Sequence, residues 1–207
     1  MPSPRPDVAA LMRARRRKLP DVIAPGLRVL FCGINPGLYS AAIGHHFGRP
    51  GNRFWKALYA SGFTPRLYSP NEDATLLDLG IGITNLCPRT TASADELTAV
   101  ELERGGRELA AKALRYRPRV VAILGIGAYR VGFGRVDASI GRQEEKIAGS
   151  LTWVLPNPSG LNAHYGLEAL IQHFRLLRAA VEEPLTAPET VTAGRGRARR
   201  ARPRRAR

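Results

Sequence analysis

The segment Arg119-Val-Val-Ala-Ile-Leu-Gly125 constrains this chain more than any other. A strand with one wet face alternates polar and apolar residues. A run that is apolar throughout is buried on both faces, as in a parallel sheet covered by helices. Leu151-Thr-Trp-Val-Leu155 is another nearly all-apolar strand, Arg28-Val-Leu-Phe-Cys-Gly33 is a strand that stops at a glycine, and Ile81 to Leu86 is a further strand. Helical segments lie between them. Asn52 to Gly62 carries Phe54, Trp55, Leu58 and Tyr59 at helical spacing after Pro50-Gly51, and Leu76 to Leu79 closes another helical piece. Leu102 to Tyr116 is helical and ended by Pro118, and Gly166 to Val181 is the closing helix. Strands separated by helices predict an α/β sandwich whose ligand chemistry lies where strand C-terminal ends open into loops.

The 207 residues suit one domain with tail to spare, and 44% hydrophobic content supplies a core. Composition divides the chain into a basic N-terminal extension over residues 1–25, a domain over 26–183 and an Arg-rich tail over 184–207. Ala9 to Lys18 reads as a short basic helix, and the Ala, Thr, Pro, Glu, Arg and Gly of the tail predict disorder. No internal repeat is present. The formal net charge is +15; residues 195–207 hold +8 of it and residues 1–25 hold +4, which leaves +3 in between. Polycationic ends displace counterions from phosphates whatever the sequence, so they point to nucleic acid. Neither end offers the hydrophobic anchor that a membrane surface requires.

Cys32 and Cys87 are the only cysteines and form no CxxC pair, which excludes a cysteine-rich zinc module and a four-cysteine iron–sulfur cluster and argues against a disulfide framework. With no long apolar run and no apolar N-terminal leader, the expectation is a cytoplasmic protein, one that is also monomeric.

Two loops at strand ends carry the candidate chemistry. Gly33-Ile-Asn-Pro-Gly37 runs on into Leu38-Tyr-Ser-Ala-Ala-Ile-Gly44, and its one polar side chain is Asn35, an amide able to hold a water without adding charge. Asn157-Pro-Ser-Gly-Leu161 is again stiff, with a polar start and an apolar tip. Taken singly, each is an ordinary turn.

Together, Gly33-Ile-Asn-Pro-Gly37, Asn52-Arg-Phe-Trp55 and Asn157-Pro-Ser-Gly-Leu161 resemble the mismatch-specific uracil/thymine-DNA glycosylase family on its bacterial side, over roughly Val29 to Leu177. The resemblance implies a three-layer uracil-DNA glycosylase fold, with a central mostly parallel sheet flanked by helices. It implies monofunctional excision from double-stranded DNA that holds mismatched or damaged bases, without metal, cofactor or lyase chemistry. Sister families differ at these positions. One has aspartate and histidine where Asn35 and Asn157 stand, another opens its second loop with His-Pro-Ser, and a third needs four cysteines.

An enzyme of this kind takes the base out of the stack and fills the gap left behind. Leu161 suits the wedge, with Gly160 and Asn162 meeting the abandoned guanine through backbone groups. Phe47 resembles the aromatic on which the flipped base stacks. Ile34, Gly37 and Ser40 join it in the pocket, Ser40 on a phosphate or the uracil edge. Asn35 holds the attacking water, and Asn157 shapes the second loop. Ala163 departs from the pattern, which often has an arginine after the wedge; Asn162 or His164 are the candidates to compensate.

Asp95, in Arg89-Thr-Thr-Ala-Ser-Ala-Asp-Glu96, has two readings. A carboxylate beside the pocket would polarise the water or stabilise a cationic sugar, a role the family pattern does not assign there. Against this, Ser93-Ala-Asp-Glu96 is also a helix capping box, with acids where a helix N-terminus favours them. The remaining signals are weak. Gly125-Ile-Gly-Ala-Tyr has a misplaced third glycine for a dinucleotide loop, and His45-His46 lack a metal-ligand set even with Cys32. A non-enzymatic nucleic-acid-binding protein built on a degenerate domain, and a nucleotide-dependent oxidoreductase, are the competing classes.

Overall fold

A computed structural model describes residues 5–183; the Arg-rich tail expected over 184–207 lies outside the described residues. The architecture is α/β: a five-stranded sheet in the order β2-β1-β3-β5-β4, covered by helices on both faces. β1 (Val29–Gly33), β2 (Ile81–Asn85), β3 (Val120–Leu124) and β5 (Leu151–Leu155) run parallel. β1 and β3 are buried along their whole length, as their unbroken apolar runs require. β4 (Gly141–Arg142) adds two antiparallel residues at the edge; no hydrophobic pattern marks so short a strand.

One face is covered by α3 (Phe54–Ala60) and α6 (Leu167–Glu182). Phe31 of β1 stacks on Phe174 of α6 with ring centroids 5.5 Å apart and meets Phe54 edge-on at 5.4 Å. The other face is covered by α4 (Ala99–Tyr116) and α5 (Ile126–Phe133), which bury Leu109 and Tyr129. α4 starts at a full capping box between Thr98 and Glu101. α5 begins directly after Gly125, so the glycine-rich stretch there serves as a helix start.

Three local assignments from the sequence change. Leu38–Ile43, read within the loop, forms a one-and-a-half-turn helix, α2, entered at Gly37 and stopped by Gly44 at φ 79°. Pro70–Leu79 is 3₁₀ rather than α, started by a Ser69–Glu72 capping box with Pro70 at its first position. The N-terminal helix, α1, spans Val8–Ala14 behind an Asp7 cap and is shorter than the basic stretch suggests.

The segment after α1 lies on the domain. α1 packs on α2, Val22 and Ile83 exchange backbone hydrogen bonds of 2.8 and 2.7 Å, and Asp21 bridges to Lys112 at 2.6 Å. Thr84 Oγ1 donates to Asp21 at 2.7 Å. Residues 19–23 thus act as a strap along the outer edge of β2. No helix of the described residues is long and apolar enough to cross a membrane.

Candidate active site

A cavity of about 690 Å³ opens at the C-terminal ends of β1, β2, β3 and β5, where loops leave a parallel sheet. It gathers Ile34, Asn35, Gly37, Ser40, Phe47 and Asn157 from the expected pocket. Asp95, Leu161 and Asn162 border it as well; Gly160 is exposed on the same loop.

The first loop is wired through Asn35. Its Nδ2 donates to Thr91 Oγ1 at 2.7 Å and to the Arg89 carbonyl at 2.9 Å. Both amide hydrogens are therefore occupied, and Oδ1 is left as an acceptor. An acceptor takes a hydrogen from a water and leaves the lone pair of the water oxygen free to attack. Gly37 enters α2 and pairs with Thr91, and Ile34 packs over Gly125 and into the core below. These contacts tie Asn35 to the 89–91 segment on both sides.

Ser40 is 7% exposed, and its Oγ accepts from the Gly48 N–H at 3.0 Å. Ser40 thereby anchors the turn that carries Phe47. Phe47 has φ 53°, a left-handed conformation costly for an aromatic residue, and its ring stacks on Phe54 with centroids 4.0 Å apart. The turn holds a half-buried aromatic against the core so that it forms one wall of the cavity. Gly33 keeps the floor open: a Cβ there would stand 2.7 Å from Asn85 Oδ1 and 3.4 Å from the Phe47 ring.

The second loop uses its asparagine the other way. Asn157 Oδ1 accepts from the Ser159 N–H at 2.9 Å, and its Nδ2 donates to nothing among the described residues. Asn162 Nδ2 closes the loop on the Asn157 carbonyl at 2.9 Å. Arg53 holds the loop from outside, donating to the carbonyls of Pro158, Ser159, Asn162 and Tyr165. Gly160 sits against Gly51, whose carbonyl a Cβ would approach to 2.8 Å. On this seat Leu161 stands 64% exposed, an apolar side chain held out at the cavity rim. The N–H of Leu161 goes to Ser159 Oγ and that of Asn162 to the Ser159 carbonyl. The carbonyls of Gly160 and Leu161 have no donor among the described residues. Ala163 adds no polar group, and His164 lies exposed beside the cavity with its N–H on Asn162 Oδ1 at 3.1 Å.

Asp95 lies in a single 3₁₀ turn, Ala94–Glu96. The capping box is present, but its reciprocal arm is Glu96, which accepts from the Ala92 and Ser93 N–H groups. The nearby arginines are occupied: Arg15 pairs with Glu96, and Arg89 grips Glu101 at 2.6 and 3.0 Å. Arg89, and after it the Thr98 N–H, hold the Glu101 carboxyl down at about 2. Asp95 keeps only the Ser93 hydroxyl, at 3.1 Å, and forms no ion pair among the described residues. Its carboxylate is exposed at the cavity edge.

Sequence reasoning missed Asn85, the last residue of β2, which lines the floor, and His46 beside it. A strand that ends on an amide at the ligand-bearing end of a parallel sheet was the available signal for Asn85. Arg53 stood inside a quoted motif, yet its four carbonyl contacts depend on residues more than a hundred positions away. His45 is turned away from this chemistry and pairs with Asp73 at 3.1 Å. Burial pushes the Cys32 thiol far up and the Cys87 thiol up to about 11, so neither is a thiolate near neutral pH. The described residues contain no group of three or more His, Cys, Asp or Glu side chains that could hold a metal ion.

The family model of the uracil DNA glycosylase superfamily matches residues 20–182, from the strap to the end of α6, and the protein belongs to that superfamily.

Proposed function

We propose that the protein is a monofunctional DNA glycosylase of base-excision repair that flips uracil from double-stranded DNA, mainly from mismatches with guanine, and hydrolyses its N-glycosidic bond. The observation that carries this reading is the convergence on one cavity of Asn35 Oδ1, the Phe47 ring and the exposed Leu161. These are a water acceptor, a stacking surface and a wedge. The flipped base leaves the stack and lies on Phe47 while Leu161 occupies the gap. The C1′–N1 bond breaks with its electron pair passing to the base, and the sugar becomes oxocarbenium-like. Water held by Asn35 attacks C1′, and its proton leaves to Asp95 or to solvent. The products are free base and an abasic sugar.

An amide cannot accept a proton, and catalysis without a base forgoes a factor of roughly 10² to 10⁴. Asp95, at the cavity edge and without an ion pair among the described residues, would supply that help. The Gly160 and Leu161 carbonyls would accept from the N1–H and N2–H of an orphaned guanine. The Watson–Crick edge of adenine has a single donor and fits them less well. Thymine and modified cytosines are secondary substrates on the same reading.

The test is single-turnover excision from matched oligonucleotides with uracil opposite guanine, uracil opposite adenine, thymine opposite guanine, and uracil in a single strand. Release fastest from the uracil–guanine duplex is expected. No release from any of the four would overturn the reading and favour a non-enzymatic DNA-binding domain.

A further inference from the structure

Arg49 and Arg53 stand four positions apart and use their donors in opposite directions. Arg53 turns inward: each nitrogen of its guanidinium donates to a carbonyl of the 158–165 loop, and the fork is spent on holding that loop. Arg49 is exposed and makes no ion pair or side-chain hydrogen bond among the described residues. It is also the one lysine or arginine among them that lines the cavity.

The backbone of Arg49 is fixed although its side chain is free. On one side, the Gly48 N–H donates to Ser40 Oγ at 3.0 Å. On the other, Pro50 and Gly51, with φ 85° at the glycine, form a turn that the Asn52 N–H closes on the Arg49 carbonyl at 3.0 Å. Proline second and glycine third is the type II pattern. Gly160 packs on Gly51, so the wedge loop is seated on this turn. Arg49 precedes Gly51 by two residues, at most about 7 Å of chain, and Leu161 directly follows Gly160. The guanidinium therefore stands at the rim beside the wedge, where Ser159 to His164 supply no lysine or arginine.

A nucleotide rotated into the cavity keeps its base inside and its flanking phosphodiesters at the mouth. Each of these carries a negative charge, and Asp95, the only carboxylate among the described residues that line the cavity, repels them. A cation at the rim offsets that repulsion, and a planar fork of donors matches the phosphate oxygens. We infer that Arg49 binds a phosphodiester next to the flipped nucleotide and holds the extruded strand against the wedge. The inference rests on the glycosylase reading, because it takes the occupant of the cavity to be a flipped nucleotide. Arg53 then shapes the wedge loop from within, and Arg49 secures the strand that the wedge displaces.

Binding of the full chain to a duplex with a single abasic site, titrated across potassium chloride, tests the contact without any base to excise. In Arg49→Gln the slope of log Kd against log salt should become shallower by about 0.9, the counterions released by one phosphate. Affinity at low salt should fall about ten-fold, the weight of a hydrogen bond to a charged group. Arg49→Lys retains a point charge and should keep the wild-type slope. An unchanged slope in Arg49→Gln, or a slope in Arg49→Lys as shallow as in Arg49→Gln, would overturn the proposal. Slower uracil excision with an unchanged slope would place the cation on the leaving base instead.

Uncharged methylphosphonate linkages, introduced singly at each phosphate around the abasic site, locate the contact. One of them should weaken wild-type binding about ten-fold and weaken Arg49→Gln hardly further, because the same pair is lost twice. Additive losses at every position would mean that Arg49 acts away from the flipped nucleotide, against the proposal. Absence of uracil release from the wild type would count against the glycosylase reading, and the salt slope would still decide whether Arg49 meets a phosphate.

Discussion

Asn35 and Asn157 each open an Asn-Pro loop at the end of a parallel strand, yet the two loops turn opposite ends of the amide to the cavity. Asn35 spends its hydrogens on Arg89 and Thr91 and offers an oxygen. Asn157 spends its oxygen on the Ser159 N–H and offers hydrogens. The same dipeptide therefore supplies an acceptor on one side and a donor on the other. The difference arises in the partners: the first loop lies against another segment's carbonyl, whereas the second folds back on its own backbone. A residue type identifies a site, and the fixed neighbours decide its polarity.

The sharpest way to break this contrast is to delete the acceptor. Asn35→Ala should reduce single-turnover uracil excision by at least about a hundred-fold, with duplex binding little altered. Measurable residual activity would indicate that Asp95 shares the work. Asp95→Ala should then cut excision strongly with an unchanged melting temperature, and full activity in that variant would leave Asp95 as a loop residue beside the Ser93–Glu96 cap.

A smaller effect is expected at the rim. Leu161→Ala should lower excision from duplex about ten-fold, which corresponds to ~1.4 kcal/mol of lost wedge contact, and spare single-stranded uracil. Equal losses on both substrates would refute the wedge. Arg53→Lys should give a weaker copy of the same pattern, because an ammonium cannot span the carbonyls that the guanidinium collects.

Smaller still is the donor side. Asn157→Asp keeps an oxygen for the Ser159 N–H and removes the hydrogens that face the cavity. The loop should stay closed while excision falls about three-fold, the lower end of one hydrogen bond. A change in melting temperature comparable to that of Arg53→Lys would mean that the amide hydrogens serve the loop and not the substrate.

The smallest predicted effect is on stability. Burial lowers the His46 pKa below its ordinary 6.5, so below that pH the unfolded chain binds more protons than the folded one. Stability is then full above 6.5 and is lost as pH falls from there through the depressed folded value. His173, also lowered by burial, adds in the same direction. The urea midpoint should drop between about pH 7.5 and about pH 5.5, and His46→Gln should flatten that slope.

The sheet was legible because Val120–Leu124 and Leu151–Leu155 are apolar runs that leave a strand few alternatives. Asn35, Phe47 and Leu161 were legible through the paired loops that resemble a known family. What stayed hidden depends on contacts distant in sequence. Asn85 is one amide among several until the sheet order brings β2 beside β1. The two readings of Asp95 are not separated by sequence, because Ser93-Ala-Asp-Glu96 makes a capping box through its end residues whatever the carboxylate between them does. The residues around Pro20 read as part of a basic extension, because proline and charge outweigh one short Val22-Ile23 pair.

That strap also bears on the order in which the chain assembles. Val22 pairs with Ile83, about sixty residues later, and Asp21 with Lys112, about ninety later. A chain emerging from the ribosome cannot close these contacts until β2 and much of α4 have been synthesised. Contacts of such long separation are slow to form, since the intervening loop must first be closed. The strap therefore settles late, after β1 and β2 have paired. Until Val22 arrives, that edge of β2 presents unpaired backbone groups.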